Sequence, residues 1–247
     1  MRASKQTGER ASGPLPGEGG RIGGGGFTLI ELLTVIAIIA ILAAIGAGLA
    51  GVAMRKSKES ATRAELAKLT TAIESYRNDF NQYPPDNVVR TQSGSYVNAA
   101  INPLYYELRG TVSLNQGRAY RLPDHDEELS ASVIKRVFHR GGFLNSVEAP
   151  DTPKSYLSEV KARQLAEVEL AGVGHVDLLA APVEWPVNQA ALRDRAPLRG
   201  LVSDARQLRI NPWHYVATNP TNNLNSFDLW ADIWLGREFK TIGNWNN

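Results

Sequence analysis

The sequence predicts an α+β fold, in which a long N-terminal helix packs by its second half on a small C-terminal antiparallel sheet bearing a largely helical insertion. Three observations predict it. From Phe27 to Met54 the only ionisable side chain is Glu31, set in a run of Leu, Ile, Ala, Val and Gly. Farther on, Leu66, Leu69, Ile73, Tyr76 and Phe80 recur every three or four positions with no proline before Pro84, which is a helical period. After Pro197 the period drops to two, with Trp213, Tyr215 and Ala217, then Phe227, Leu229, Ala231 and Ile233, as in half-buried strands that pair with each other.

Residues 1–26 are glycine-rich, carry Arg2, Lys5, Arg10 and Arg21, and have too few apolar side chains to build a core, so they read as a disordered leader peptide. An ordinary secretory signal puts its small residues after a short apolar run. Here Gly23, Gly24, Gly25 and Gly26 come before it, so cleavage at this point keeps the hydrophobic segment in the mature chain. As a helix, residues 27–54 extend about 42 Å, more than the ~30 Å hydrocarbon core of a bilayer, and are read as a transmembrane helix. Gly46, Gly48 and Gly51 favour a local bend or unwinding within it. Residues 55–83 continue it as an amphipathic helix, leaving Arg63, Glu65, Lys68, Glu74 and Arg77 for the outer face. Tyr83, Pro84, Pro85 and Asp86 end the helix, because proline lacks an N–H and its predecessor avoids the α region. A globular domain fills 84–247. Within it the sequence predicts a helix over 130–140 stopped by Gly141, and another over 153–171 with Thr152 as N-cap and Pro153 as first residue.

Composition excludes several classes. With 27 basic and 25 acidic residues the net charge is +2, too balanced to attract nucleic acid by a global field, and no nucleic-acid partner is expected. The absence of cysteine removes disulfides, thiol nucleophiles and zinc–thiolate sites.

The run GGGGFTLIELLTVIAIIAILAAI at 23–45 resembles the cleavage and methylation motif of type IV pilins and type II secretion pseudopilins. The resemblance implies that a prepilin peptidase cuts after Gly26, that the new N-terminus Phe27 is N-methylated, and that Glu31 guides subunit assembly. The stretch KLTTAIESYRNDFNQYPPDN at 68–87 resembles the end of the pseudopilin helix. INPWHYVATNP at 210–220, FDLW at 227–230 and IGNW at 242–245 are similar to the major pseudopilin of type II secretion, which leaves 88–209 as an insertion. The function implied is that of a structural subunit, not an enzyme, in a type II secretion-like pseudopilus. Its implied partners are copies of itself, other pseudopilins, the peptidase and methyltransferase, and an inner-membrane secretion platform. Its implied place is the inner membrane with the globular domain in the periplasm. A pilin or minor pilin for adhesion, motility or DNA uptake, and an anchored binding module that does not polymerise, are the alternatives. Major pseudopilins also carry a calcium loop between the equivalents of FDLW and IGNW. Here that stretch reads ADIWLGREFKT, and with Asp228 it offers only Asp232 and Glu238, whereas calcium takes six to eight oxygens, so no metal ligands are assigned.

The other chemistry-bearing residues read as ordinary surface or core groups. The glycine run lacks the preceding strand and following Lys-Ser of a phosphate loop. Asp124, His125, Asp126, Glu127 and Glu128 read as a solvated loop, and His139, His175 and His214 show no helical metal spacing. There is no G-x-S-x-G elbow. Trp213, Trp230, Trp234 and Trp245 are assigned to packing of the sheet on the helix, and Lys135, Arg136, His139 and Arg140 to a solvated helix face.

Overall fold

The computed structural model describes residues 26–245, and within them the side chains of 45–50 stand outside the description. The leader expected over 1–26 therefore lies, apart from Gly26, outside the described residues, as do the side chains of 45–50 within the span expected over 27–54. The chain divides into two units, Met1–Leu49 and Ala50–Asn247. Helix α1 (Leu29–Phe80) starts in the first unit and ends in the second.

In the second unit α1 buries Leu66, Leu69, Ala72, Ile73 and Tyr76, as the three-and-four spacing requires. These side chains share one core with the inner face of a three-stranded antiparallel sheet of β9 (His214–Val216), β10 (Asp228–Trp234) and β11 (Phe239–Gly243), in the order β11-β10-β9. Along β10 Leu229, Ala231 and Ile233 are fully buried while Trp230, Asp232 and Trp234 are half-buried, the alternation of a sheet covered on one side. The fold is thus α+β, with the helix packed on the sheet.

Residues 88–209 hold short strands and only short helices joined by irregular chain, a correction to the largely helical insertion read from sequence. Two hairpins, β1 (Val88–Thr91) with β2 (Gly94–Val97) and β7 (Leu165–Leu170) with β8 (Gly174–Leu179), flank a four-stranded sheet in the order β5-β4-β3-β6. Its members are β3 (Thr111–Leu114), β4 (Ala119–Arg121), β5 (Glu128–Ser130) and β6 (Ser146–Glu148), with β3 and β6 parallel. The helices here are short: α2 (Leu104–Arg109), α3 (Ala131–Phe138) and α4 (Ala190–Arg193). α3 falls within the expected 130–140, with Ser130 as its N-cap, but it ends at left-handed His139 and not at Gly141.

The helix expected over 153–171 does not form. Pro153 packs against Gly110, whose φ of 76° and lack of a Cβ admit it; a Cβ there would lie 2.7 Å from the proline ring. The following backbone is claimed by tertiary bonds, with Asn145 Nδ2 donating to Lys154 O (2.7 Å) and Tyr156 N to Leu108 O (2.8 Å). Beyond it, Val168 and Leu170 turn inward while Glu167 and Glu169 face out, a period of two that makes β7.

The turn after α1 ties the units of this core together. Asn81 takes a left-handed φ of 55°, and Pro84 O then accepts from the buried Tyr215 hydroxyl at 2.7 Å. Asp86 accepts from Ala217 N (2.9 Å), Thr218 N (2.7 Å) and Thr218 Oγ1 (2.9 Å). Asn87 Nδ2 donates to Ile101 O and Val137 O, and its Oδ1 meets His139 Nδ1 at 2.9 Å.

Candidate functional site

Helix α1 begins one residue after Thr28, and its first turn is closed by a reciprocal pair. Thr28 N and Thr28 Oγ1 both donate to Glu31 Oε2 at 2.8 Å, while Glu31 N donates to Thr28 Oγ1 at 3.3 Å. This is a capping box, in which a threonine at the N-cap and a glutamate three residues on satisfy helix donors that have no partner of their own. A carboxylate in the first turn also complements the positive end of the helix dipole. The Thr-x-x-Glu spacing carries that signal in the sequence, and the sequence reading above assigns Glu31 to assembly without it.

Gly26 precedes this turn, with open space where a Cβ would stand, and Phe27 is 81% exposed. Leu29, Ile30, Leu32, Leu33, Val35 and Ile36 follow, all exposed. The polar side chains described between Phe27 and Ala44 are Thr28, Glu31 and Thr34, and Thr34 Oγ1 donates to Ile30 O at 2.8 Å, which hides its hydroxyl on the helix. Among the described residues, Glu31 is therefore the single charge between Phe27 and Ala44, on an apolar helical surface that none of them covers. Among the described residues no helix is long and apolar enough to cross a membrane.

Residues 25–47 match the model of the prokaryotic N-terminal methylation motif. The chain carries a type IV pilin-like prepilin signal. The match covers the start of α1 and points to processing by a prepilin peptidase and to anchoring through this helix. No curated protein and no solved structure matches the chain significantly.

The residues considered for calcium do not fit that ion. Asp228 is buried, and its Oδ2 accepts from Thr221 N (2.9 Å), Asn222 N (2.9 Å) and Asn222 Nδ2 (3.0 Å), while Oδ1 accepts from Asn223 N (2.8 Å). A carboxylate facing that many donors has its lone pairs already used. Asp232 Oδ1 accepts from Thr241 Oγ1, and Glu238 is exposed in the β10–β11 turn. No group of three or more His, Asp or Glu side chains among the described residues is arranged to hold a metal ion.

Other sequence candidates are dispersed. Of the four tryptophans singled out in the sequence, Trp213 is the one in the core, its Nε1 donating to Glu65 Oε1 at 3.1 Å. That bond brings Glu65 to the buried face of α1 and not to the outer face expected of it. Burial pushes the Glu65 carboxyl up, while Gln164 and Trp213 pull it down. Trp230, Trp234 and Trp245 lie outside the core as half-buried rings, a correction to the packing assigned to them. Trp230 stacks on His214 at 5.0 Å between centroids and meets Trp245 at 5.8 Å, while Trp234 meets Phe239 at 4.9 Å. In the basic patch Arg136 donates to Gly172 O and Val173 O, and His139 is engaged with Asn87. The acidic run is divided, since Asp124 pairs with Arg109 and Asp126 lies 4.0 Å from Arg121, while His125, Glu127 and Glu128 line a cleft with Glu167, His175 and Asp177.

The strongest buried polar group is one the sequence did not mark. Glu107 on α2 is fully buried and accepts from Tyr76 Oη, Leu144 N and Asn145 N, each at 2.9 Å. Burial raises its carboxyl above the ordinary range, and these three bonds oppose the rise. It joins α1 to the insertion.

Proposed function

We propose that this chain is a structural subunit of a type II secretion-like pseudopilus, cut after Gly26, N-methylated on Phe27, and polymerised through α1. The observation that carries the reading is the helix start itself, where exposed Phe27, Leu29, Ile30, Leu32 and Leu33 surround one carboxylate next to a prepilin signal. An apolar surface of that extent, uncovered by the described residues, calls for lipid or neighbouring subunits. In the membrane it serves as an anchor, with residues 84–247 on the periplasmic side; in a fibre it packs against the same helix of other copies and of related pseudopilins. The similarity of 210–220, 227–230 and 242–245 to the major pseudopilin supports the secretion system over a pilus. The chain acts as substrate of the peptidase and methyltransferase and as cargo of an assembly platform, with no catalysis of its own.

Cleavage converts the Phe27 amide nitrogen into an amine one turn from Glu31. A charged amine on a neighbouring subunit then competes for the carboxylate that Thr28 holds in the uncut chain, and in an apolar surrounding that pair fixes subunit register. Glu31→Gln separates the two roles, since glutamine still closes a capping box but carries no charge. In a host with peptidase and platform, and with a pair of cysteines introduced into α1 of parent and variant alike, the reading expects Glu31→Gln to be processed normally and to lose crosslinking between subunits at least tenfold. Crosslinking at the parent level would show that Glu31 serves the helix cap and not assembly.

A further inference from the structure

A cleft of about 190 Å³ lies between the β7–β8 hairpin and the segment from β4 to β5. Tyr106, Tyr120, Leu122, Val133 and Val176 make its less polar surface, and titratable groups from two distant stretches of chain face each other across it. Asp177, in the middle of β8, donates its backbone N–H to Tyr106 Oη at 2.8 Å, yet among the described residues no donor reaches its carboxyl. Its cross-strand partner on β7 is Glu167, so two carboxylates stand side by side on one hairpin face. The opposite rim adds Glu127 and Glu128 and one imidazole, His125. The second imidazole, His175, sits 3.1 Å from Glu167. Neighbouring cations are committed elsewhere: Arg109 to Asp124 and to the carbonyls of Leu157 and Ser158, and Arg121 toward Asp126. Tyr105 on α2 also feels the Asp177 charge.

We propose that this cleft is an acid-tightened clasp, in which the β7–β8 hairpin stays seated against residues 122–128 while Asp177 is neutral and loosens as Asp177 ionises beside Glu167, Glu127 and Glu128. With Asp177 ionised, four carboxylates share the cleft, and the arginine in its lining, Arg121, lies toward Asp126.

The linkage gives the window. Burial pushes the Asp177 carboxyl up to about 6, with His125 pulling it down and Glu167 and Glu127 adding to the rise. In a loosened hairpin the same carboxyl is solvated and returns toward about 3.9. A group whose closed-state value is raised favours closure at low pH and loses that contribution as pH rises through about 6. Between pH 5 and 7 these values increase the open fraction about tenfold, and solvent screening of a half-buried group reduces this to roughly three- to tenfold.

Hydrogen exchange of the full chain in detergent micelles at pH 5 and pH 7, corrected for the intrinsic pH dependence of exchange, reads this directly. The clasp expects peptides covering 165–179 and 122–130 to exchange about three- to tenfold more slowly at pH 5. In Asp177→Asn they should be slow at both pH values, while the exposed control Asp204→Asn keeps the parent ratio. Equal exchange at both pH values in the parent, or an undiminished ratio in Asp177→Asn, overturns the proposal. If Asp177→Asn does not fold, Glu167→Gln decides: the clasp expects its ratio to shrink, and an unchanged ratio overturns it.

Discussion

Tyr76→Phe removes a single oxygen from a fully buried site, and its cost follows from what that oxygen holds. The Tyr76 hydroxyl is one of three donors to the Glu107 carboxylate, the others being the N–H groups of Leu144 and Asn145. Both side chains are buried, so no water replaces the lost bond. A hydrogen bond to a buried charged group contributes about 1.5–3 kcal/mol, and for a unit of this size each kcal/mol lowers Tm by about 2–4 °C, so the expected loss is roughly 3–12 °C. The effect should depend on pH. Because burial raises the Glu107 carboxyl, the folded protein takes up this proton before the unfolded chain does; the resulting stability is full at low pH and is lost as pH rises through the folded value. Losing the Tyr76 donor weakens the ionised form most, so the gap between Tyr76→Phe and parent should be wider at pH 8 than at pH 5. Thermal unfolding of the full chain in detergent, followed by circular dichroism, measures it, with Glu107→Gln and the double variant completing a cycle whose coupling is about 0.5–3 kcal/mol. A Tm for Tyr76→Phe within about 1 °C of parent at both pH values would refute the reasoning.

Leu229→Ala, on the inner face of β10 and fully buried, should cost about 2–5 kcal/mol and be seen as a lowered urea midpoint with little change in slope. Asp228→Ala strips the acceptor from the N–H groups of Thr221, Asn222 and Asn223, so limited proteolysis should cut the 219–227 loop at least several-fold faster. By the same saturation of Asp228, neither EDTA nor millimolar calcium should shift the parent Tm by more than about 1 °C.

Periodicity made the long elements legible. The three-and-four spacing from Leu66 to Phe80 and the two-residue spacing of Leu229, Ala231 and Ile233 each report one buried face, and both faces are where the sequence placed them. The stretch 153–171 went the other way, because the Thr-Pro pair is a local helix signal while the Gly110 gap, the Asn145 amide and the Leu108 carbonyl that hold it extended come from distant residues. Glu65 shows the same limit: its helical position falls beside the core stripe, but the Gln164 amide and the Trp213 indole that make burying it tolerable come from distant residues. At the prepilin signal the apolar run and its lone carboxylate are plain in the sequence, and the capping box was equally available in the Thr28 to Glu31 spacing. The cleft could not be read at all, since residues 125–128 and 167–177 meet only through the sheet and hairpin.

The central claim is that the chain is matured at the Gly26–Phe27 bond, and N-terminal mass spectrometry of protein taken from membranes of a host with an active prepilin peptidase tests it most directly. Beside the parent, Gly26→Val puts a β-branched side chain on the residue that precedes the expected cut. The account expects the parent to begin at N-methylated Phe27 and the variant to keep residues 1–26. An intact N-terminus in both proteins would contradict it, leaving an exposed apolar helix that is never released for assembly.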